Sequence, residues 1–126
     1  MSFVTIDGDD IGRRLAACYL SNDIKALEAT RELVDLKTHQ ISNLLTDLGY
    51  RVLFCAADGV TAHSNDNIVD DMRLYQSIEN IAGLELAFSV GVGETLREAY
   101  VALLFAKSTG KARLCNFSSM ETECLE

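Results

Sequence analysis

The fold is decided by the stretch Phe3-Val4-Thr5-Ile6-Asp7-Gly8-Asp9-Asp10-Ile11-Gly12, where a short apolar run leads into an acidic, glycine-containing turn. The apolar run predicts a buried strand over residues 2–7, and the residues after it predict a helix over 10–20. A strand fixes Asp7 rigidly, glycine lets the backbone approach a ligand, and a helix start offers unpaired N–H groups to an anion. This arrangement is typical of a site that holds a metal beside a phosphate.

A second carboxylate, Asp58, lies at the centre of the apolar stretch 52–62. An Asp-Gly pair between apolar residues is the strongest short-range signal of a β-hairpin, here over residues 51–63. A hairpin beside the first strand carries Asp58 to the same sheet edge as Asp7. Two carboxylates from separate strands, with backbone carbonyls and substrate phosphates, suit Mg²⁺.

Composition narrows the class of protein. The chain has 126 residues, 48% of them hydrophobic, which is enough for one domain with a real core. No apolar stretch approaches the ~20 residues of a membrane span, and the N-terminus lacks the features of a signal peptide, so we expect a cytoplasmic protein without membrane contact. A net charge of −8 argues against direct nucleic-acid binding.

Cysteine and histidine give little sign of a zinc or redox site. The four cysteines lack paired spacing, and we expect them to be reduced. His39 and His63 have no partners at ligand spacing and are interpreted as structural residues.

A long helix is predicted between Ser21-Asn22-Asp23, which supply capping residues, and Gly49, which is a C-terminal stop. It packs on a sheet or forms a coiled-coil contact with a second copy, and the pattern allows both. Its apolar residues are Ile24, Leu27, Val34, Ile41, Leu45 and Leu48.

The rest of the chain alternates between helix and strand signals. Ser64-Asn65-Asp66 resembles a helix start, and Thr95 with Glu98 forms a capping box. Helical spacing runs through Ile68, Met72, Tyr75 and Ile78. The predicted elements are a helix to about 81, a strand over 84–92, a helix ending near Gly110, and a strand over 112–117.

This order predicts an α+β fold: a single ferredoxin-like domain with a mainly antiparallel sheet and helices packed on one face. The domain covers residues 1–117, and residues 118–126 are predicted to form a polar tail.

An anionic substrate needs local cations in so acidic a chain, and the candidates are Lys107 and Lys111. Because they are four residues apart across a helix end and a glycine turn, both ammonium groups can point to one side and clamp a triphosphate. The alternative is that they only complement the helix C-terminus and are solvated there.

Four ordered motifs resemble the palm-type nucleotide cyclases and polymerases, which include GGDEF diguanylate cyclases, class III nucleotidyl cyclases and the palm of CRISPR polymerases. The closest resemblance, from residues 6–14 followed by 19–23, is to the minimal CRISPR polymerases. The motifs are the Asp7 turn, the hairpin Ala56-Ala57-Asp58, the strand 88–92 and the segment 106–111.

The resemblance implies roles for individual residues. Asp7 and Asp58 are implied to be the catalytic, metal-binding carboxylates, and the Gly8 carbonyl a backbone metal ligand. The implied cofactors are two Mg²⁺ or Mn²⁺ ions that bind with the nucleoside triphosphate. The implied nucleotide- and phosphate-binding residues are Gly8, Asp10, Ile11, Gly12, Gly59, Lys107 and Lys111.

The implied reaction converts ATP to a cyclic dinucleotide of the cyclic di-AMP type and releases pyrophosphate. Joining two nucleotides favours a homodimer with facing active sites. The product is expected to act in anti-phage defence by binding a separate effector. The alternatives are a cyclase that makes a mononucleotide or linear oligonucleotide, a catalytically silent nucleotide-binding module, and a plain structural domain.

Several positions depart from the GGDEF pattern. Ala56 and Ala57 replace two glycines, and Gly59 replaces an acidic residue. Leu15 and Ile24 fall at roughly the spacings of the residues that read guanine, so the resemblance favours adenine. The arginine-based inhibition motif is missing from residues 42–50.

Three further polar residues allow more than one interpretation. Asp9 and Asp10 are helix caps, hydrogen-bond acceptors behind the site, or metal ligands. Ser89 is interpreted as a packing residue within the sheet.

Overall fold

The computed structural model describes residues 1–66 and 69–124 and contains one five-stranded sheet. The strands are β1 (Ser2–Gly8), β2 (Arg51–Ala56), β3 (Gly59–Ser64), β4 (Phe88–Gly93) and β5 (Leu114–Asn116). The helices are α1 (Ile11–Leu20), α2 (Ile24–Asp47), α3 (Asp71–Ala82), α4 (Leu96–Ser108) and α5 (Phe117–Cys124). Within the described ranges, no helix combines the length and the apolar character needed to cross a bilayer.

The strand order β2-β3-β1-β4-β5 confirms the predicted ferredoxin-like α+β class. Strand β1 pairs antiparallel with β3 and β4, and only the pairing of β4 with β5 is parallel. The units β1–α1–α2–β2 and β3–α3–β4 interleave, which places β1 at the centre of the sheet. The central strand therefore carries Asp7 between the hairpin and β4.

The main core lies on the sheet face that carries Val4, Ile6 and Val90. Buried residues of α2 and α3 pack in the same cluster, including Ile41 and Ile78. The apolar stripe of α2 is thus used against the sheet, as the first interpretation of that stripe predicted. Ile24, at the start of the helix, is exposed and lies outside this core.

The prediction that all helices pack on one face is wrong for α4. Gly91 and Gly93 lie on the opposite face from Val90 and Val92, and α4 packs directly on them. A Cβ added at Gly91 would lie 2.1 Å from the Ala99 carbonyl oxygen. The two glycines therefore allow backbone-to-backbone contact, which the hydrophobic pattern alone did not reveal.

Helix α3 begins later than Ser64-Asn65-Asp66 indicated. Ser64 ends β3, and its hydroxyl donates to the Asp66 carbonyl and accepts from the Asp66 N–H, forming a local turn. The true cap is Asp70, whose carboxylate accepts from the Arg73 N–H at 2.9 Å. Ile68, predicted in this helix, lies outside the described residues.

Two further boundaries differ from the prediction. Strand β4 begins at Phe88 rather than 84, because Gly83 ends α3 with a φ of 65° and Leu84 is then fully exposed. Residues 117–124 form α5, where the sequence suggested a polar tail. The capping box of α4 is present, with Thr95 accepting from the Glu98 N–H.

Candidate active site

The turn after β1 brings a carboxylate and a carbonyl to the end of the sheet. Asp7 pairs with Gly59 on one side and Ser89 on the other, so both neighbouring strands fix it. The next residue, Gly8, allows close packing, because a Cβ there would lie 2.7 Å from Ile11 Cγ1 and 3.2 Å from Asp58 Cβ. Helix α1 thus begins directly against the strand end, as the opening stretch predicted.

The hairpin places Asp58 beside this turn. The Gly8 N–H donates to the Asp58 carbonyl at 3.0 Å, and a Cβ at Gly8 would lie 3.2 Å from Asp58 Oδ2. A Cβ at Gly59 would lie 3.7 Å from Asp7 Oδ1. The structure therefore brings together the two carboxylates that the sequence paired across about fifty positions.

Asp58 lies in a position that disfavours its negative charge. Partial burial raises the pKa of its carboxyl, and the nearby charge of Asp7 raises it further. Lys107 opposes this shift only in part. A cation that contacts both carboxylates relieves the same repulsion, which is the electrostatic condition that favours a metal ion here.

Lys107 crosses from α4 to the β1 turn. Its ammonium lies 3.1 Å from Asp7 Oδ2, 3.2 Å from Asp9 Oδ1 and 3.0 Å from the Gly8 carbonyl oxygen. Burial disfavours the ammonium charge, but the hydrogen bonds and charges of Asp7 and Asp9 outweigh that effect and raise the pKa of Lys107. Lys107 is therefore held at the site, and is not a freely solvated cation at a helix end.

Lys111 contacts the same turn from further out. Its ammonium forms an ion pair with Asp10, and the hydrogen bond with Lys111 holds the pKa of the Asp10 carboxyl below its usual value. Both side chains are substantially exposed, at 39% for Lys111 and 47% for Asp10. The two lysines thus form an inner and an outer cation on one side of the turn.

Asp9 has a contact set that the sequence did not specify. Its side chain is 4% exposed and accepts hydrogen bonds from the Ser89 hydroxyl at 2.6 Å and the Ala112 N–H at 2.8 Å, besides Lys107. Asp9 is therefore an acceptor behind the turn rather than a cap of α1. Asp10 lies at the cap position, but its carboxylate bonds Lys111.

Ser89 was interpreted as sheet packing, and its hydroxyl in fact binds Asp9. Its side chain is fully buried in a strand whose other residues are apolar or glycine. A lone hydroxyl in such a strand needs a partner, since an unpaired buried polar group is costly. That requirement was the available signal for a buried acceptor nearby.

The start of α1 has the geometry expected of an anion site. The Arg14 N–H bonds the Asp10 carbonyl, so the amides of Ile11 and Gly12 belong to the first turn, whose N–H groups have no intrahelical acceptor. A Cβ at Gly12 would contact nothing within 4 Å. Gly12 is therefore not sterically required, and only its amide supports the predicted role.

The hairpin turn departs from a glycine-rich pattern at a visible conformational cost. Ala57 has a φ of 51°, in the left-handed region that favours glycine. The chain adopts this conformation while keeping Asp58 beside Gly8. The replacement of glycine by Ala57 thus leaves the position of the second carboxylate intact.

The oxygen atoms at this site fit a divalent cation of the magnesium type. Two carboxylates, from Asp7 and Asp58, and the Gly8 carbonyl form a hard oxygen set, and Mg²⁺ in proteins needs only one or two carboxylates when substrate phosphates complete its shell. Within residues 1–66 and 69–124, no cluster of three or more His, Cys, Asp or Glu side chains has metal-binding geometry. Metal binding here therefore depends on the carbonyl and the substrate.

Comparison with protein families gives the family of the chain. Residues 3–117 match the mCpol family, described as the minimal CRISPR polymerase domain. The chain belongs to the minimal CRISPR polymerase family. Among curated proteins, a sequence search finds no match.

Solved structures show the same fold at low sequence identity. The GGDEF domain of TpbB (YfiN) from Pseudomonas aeruginosa is 13% identical with a TM-score of 0.65, covering 98% of this chain and 80% of that one. The adenylyl cyclase CyaB from P. aeruginosa is 10% identical with a TM-score of 0.62, covering 97% and 80%. An EAL/GGDEF domain protein from M. capsulatus is 18% identical with a TM-score of 0.63, covering 92% and 83%.

Membership of the minimal CRISPR polymerase family makes this a palm-type nucleotide cyclase or polymerase domain. The resemblance noted from the sequence is thereby confirmed at the level of family and fold. Palm-type enzymes generally use divalent metals, and the oxygen set of Asp7, Gly8 and Asp58 is compatible with that chemistry.

Proposed function

We propose that this minimal CRISPR polymerase is a metal-dependent nucleotidyltransferase that converts ATP to a cyclic dinucleotide of the cyclic di-AMP type and releases pyrophosphate. The observation that carries the proposal is the convergence of four groups at the end of the central strand: Asp7 and the Gly8 carbonyl of β1, Asp58 of the hairpin and Lys107 of α4. The proposed mechanism needs no protein general base, because positioning and electrostatics supply the catalysis.

Asp7, Asp58 and the Gly8 carbonyl are the groups that would hold divalent metal, in place of the Lys107 ammonium that bonds Asp7 and the Gly8 carbonyl in this structure. When bound, Mg²⁺ or Mn²⁺ lowers the pKa of the attacking ribose hydroxyl and neutralises phosphate charge. The ribose hydroxyl releases its proton to solvent, and its oxygen forms a bond to the α-phosphorus of a second nucleotide as the bond to pyrophosphate breaks. Lys107 and Lys111 then bind the departing pyrophosphate together with the amides of Ile11 and Gly12.

The nucleoside is proposed to lie in the open groove beside α1. The groove runs between α1 and the segment 84–87, and it is lined by Asp10, Arg13 and Arg14. Arg14 spans it by donating to the Glu85 carbonyl at 2.8 Å. At the spacings where diguanylate cyclases read guanine, Leu15 packs against the core and Ile24 is exposed, which favours adenine over guanine.

A cyclic product requires two nucleotides that face each other, and we propose that a second copy of the chain supplies the other site. Apolar side chains are exposed on the sheet face and helix nearest Asp7. Phe54 lies on that face of β2, and α4 exposes Leu96, Tyr100 and Leu104 at four-residue spacing. Burial of these side chains against the partner favours association.

We further propose that the product is made in the cytoplasm, where ATP is available, and that a separate effector protein binds it in anti-phage defence. The support for this role is membership of the minimal CRISPR polymerase family.

The test incubates purified protein with each NTP and Mg²⁺ or Mn²⁺ and identifies products by mass spectrometry. Wild type is expected to form a cyclic di-adenylate, and Asp7→Ala and Asp58→Ala are expected to lose on the order of 10³-fold in rate, since metal positioning contributes several kcal/mol. Asp47→Asn, an exposed change at the end of α2, is the matched control.

Other products distinguish the alternatives. A product that survives Asp7→Ala overturns the proposed metal site. Nucleotide binding without turnover leaves the silent module, and linear products from a monomeric protein contradict the facing dimer. A mononucleotide product indicates an intramolecular cyclase at the same site.

A further inference from the structure

Asp9 has an arrangement that the proposed chemistry does not use directly. Its nearly buried carboxylate accepts from three elements: Ser89 of β4, Lys107 of α4, and the Ala112 N–H just before β5. The side chain is 4% exposed, against 37% for Asp7 two residues earlier. Asp9 therefore faces into the protein, and Asp7 faces the site.

The segment that Asp9 contacts has an unfavourable backbone conformation. Lys111 and Ala112 are consecutive non-glycine residues with φ values of 61° and 46°. Such left-handed residues persist only where the surrounding structure fixes them. One of those fixing contacts is the bond from the Ala112 N–H to Asp9 Oδ2 at 2.8 Å.

We infer that Asp9 is a positioning residue whose carboxylate holds the turn at 109–112 in this strained conformation and thereby directs Lys107 and Lys111 toward the terminal phosphates. One oxygen of Asp9 bonds Lys107, and the other bonds the backbone immediately after Lys111. A single buried carboxylate therefore sets the position of both cations relative to the β1 turn. The inference rests on the proposed function in assigning the lysines to a triphosphate.

Asn is the informative replacement because it keeps the shape of the Asp9 side chain but replaces one of its two acceptor oxygens by a donor group. The carboxylate offers acceptors on both oxygens, whereas Asn offers one oxygen and an NH₂ group. Two donors, Ser89 and the charged Lys107, face Oδ1, whereas only the Ala112 N–H faces Oδ2. The Asn oxygen is therefore expected at the Oδ1 position, which places its NH₂ group against the Ala112 N–H. Asp9→Asn is therefore expected to release the turn.

The experiment compares wild type and Asp9→Asn by two readouts. Hydrogen exchange of the Ala112 amide, followed by NMR without nucleotide, is expected to become about tenfold faster in the variant because a charge-assisted hydrogen bond is lost. Affinities for α,β-methylene-ATP and AMP are measured with Mg²⁺. The analogue is expected to bind about tenfold more weakly, and AMP equally well, because only terminal phosphates reach the lysines.

A purely structural role for Asp9 gives a different result. Loss of folded protein weakens both ligands by the same factor, and that outcome overturns the inference. An unchanged exchange rate at Ala112 overturns it as well. If wild type binds neither ligand, the proposed function fails, and the exchange rate alone decides whether Asp9 holds the turn.

Ser89→Ala provides the second variant if Asp9→Asn does not fold. It removes one donor to Asp9 Oδ1 and leaves the Ala112 bond to the other oxygen. The expected loss is about threefold for the ATP analogue and none for AMP, in line with one hydrogen bond. Equal binding of the analogue by Ser89→Ala and wild type overturns the inference in that case. Asp47→Asn again controls for loss of a carboxylate.

Discussion

The two sides of the active site are built differently. On one side, the β1 turn is joined to the end of α4 by Lys107 and to the next turn by Lys111, so carboxylates and ammonium groups compensate each other. On the other side, the hairpin holds Asp58 next to Asp7, where burial and the nearby charge of Asp7 raise the pKa of Asp58 and disfavour its ionised form. The cation side is stabilised by its own contacts, whereas the hairpin side has no such compensation and would be stabilised by a bound cation.

The contacts on the two sides therefore differ in their effect on the stability of the fold, although both sides contribute residues to the candidate site. Contacts of Lys107 and Asp9 strengthen the fold and the site together. The proximity of Asp58 to Asp7 and the strained turn at Ala57 weaken the fold in order to assemble the site. Substitutions on the two sides are therefore expected to change the free energy of unfolding in opposite directions.

The largest effect is expected for Lys107→Met. The change leaves the nearly buried Asp9 carboxylate without its cation and is expected to lower the free energy of unfolding by about 2 kcal/mol in urea titrations. Lys111→Met is the matched control, because its pair with Asp10 is solvent-exposed and is expected to contribute little. If both variants lose the same free energy of unfolding, the distinction between an inner lysine, Lys107, and an outer lysine, Lys111, is contradicted.

A smaller effect of opposite sign is expected at the hairpin. Ala57→Gly relieves left-handed strain of about 1 kcal/mol and loosens the unfolded chain by roughly half of that, for a net gain of about 0.5 kcal/mol. Ala56→Gly is the matched control, because Ala56 ends β2 and glycine weakens a strand. Thermal unfolding of the two variants should move in opposite directions, and a common direction would show that strain at residue 57 is absent.

An effect no larger than that at Ala57 is expected for Asp58→Asn without nucleotide or metal. A carboxyl with a raised pKa in the folded state opposes folding when it is ionised, so stability rises as pH falls through that pKa. Removing the charge is expected to raise the free energy of unfolding at neutral pH by about 0.5 kcal/mol, because solvent screening limits the repulsion. The difference from wild type should shrink toward acidic pH, and a constant difference would exclude charge as its origin.

The strands and the site carboxylates could be predicted because their signals are local. The apolar run before Asp7 and the Asp-Gly pair at residue 58 specify a strand and a hairpin within a few residues. The lysines were proposed from their spacing and the need for local cations, and the resemblance supported them; the structure places Lys107 on Asp7 although a hundred positions separate them. The functional roles of these residues stay predictions until the variants are measured.

The remaining features depend on contacts that a linear pattern does not contain. The bond between Ser89 and Asp9 joins residues 80 positions apart and follows from the register of β1 with β4. The start of α3 was misplaced because Ser64 forms a side-chain turn, which uses the same residue types as a helix cap. The exposed Leu84 resembled a strand residue until Gly83 was seen to end α3.

The glycines of β4 have a consequence for how the enzyme can change over time. Because α4 packs on the backbone at Gly91 and Gly93, these two positions of β4 place no side chain between the helix and the sheet. The position of Lys107 relative to Asp7 therefore depends on the contact between the backbones of α4 and β4. We therefore expect that side chains of the large core on the opposite face can change in size, during evolution or by design, without moving Lys107.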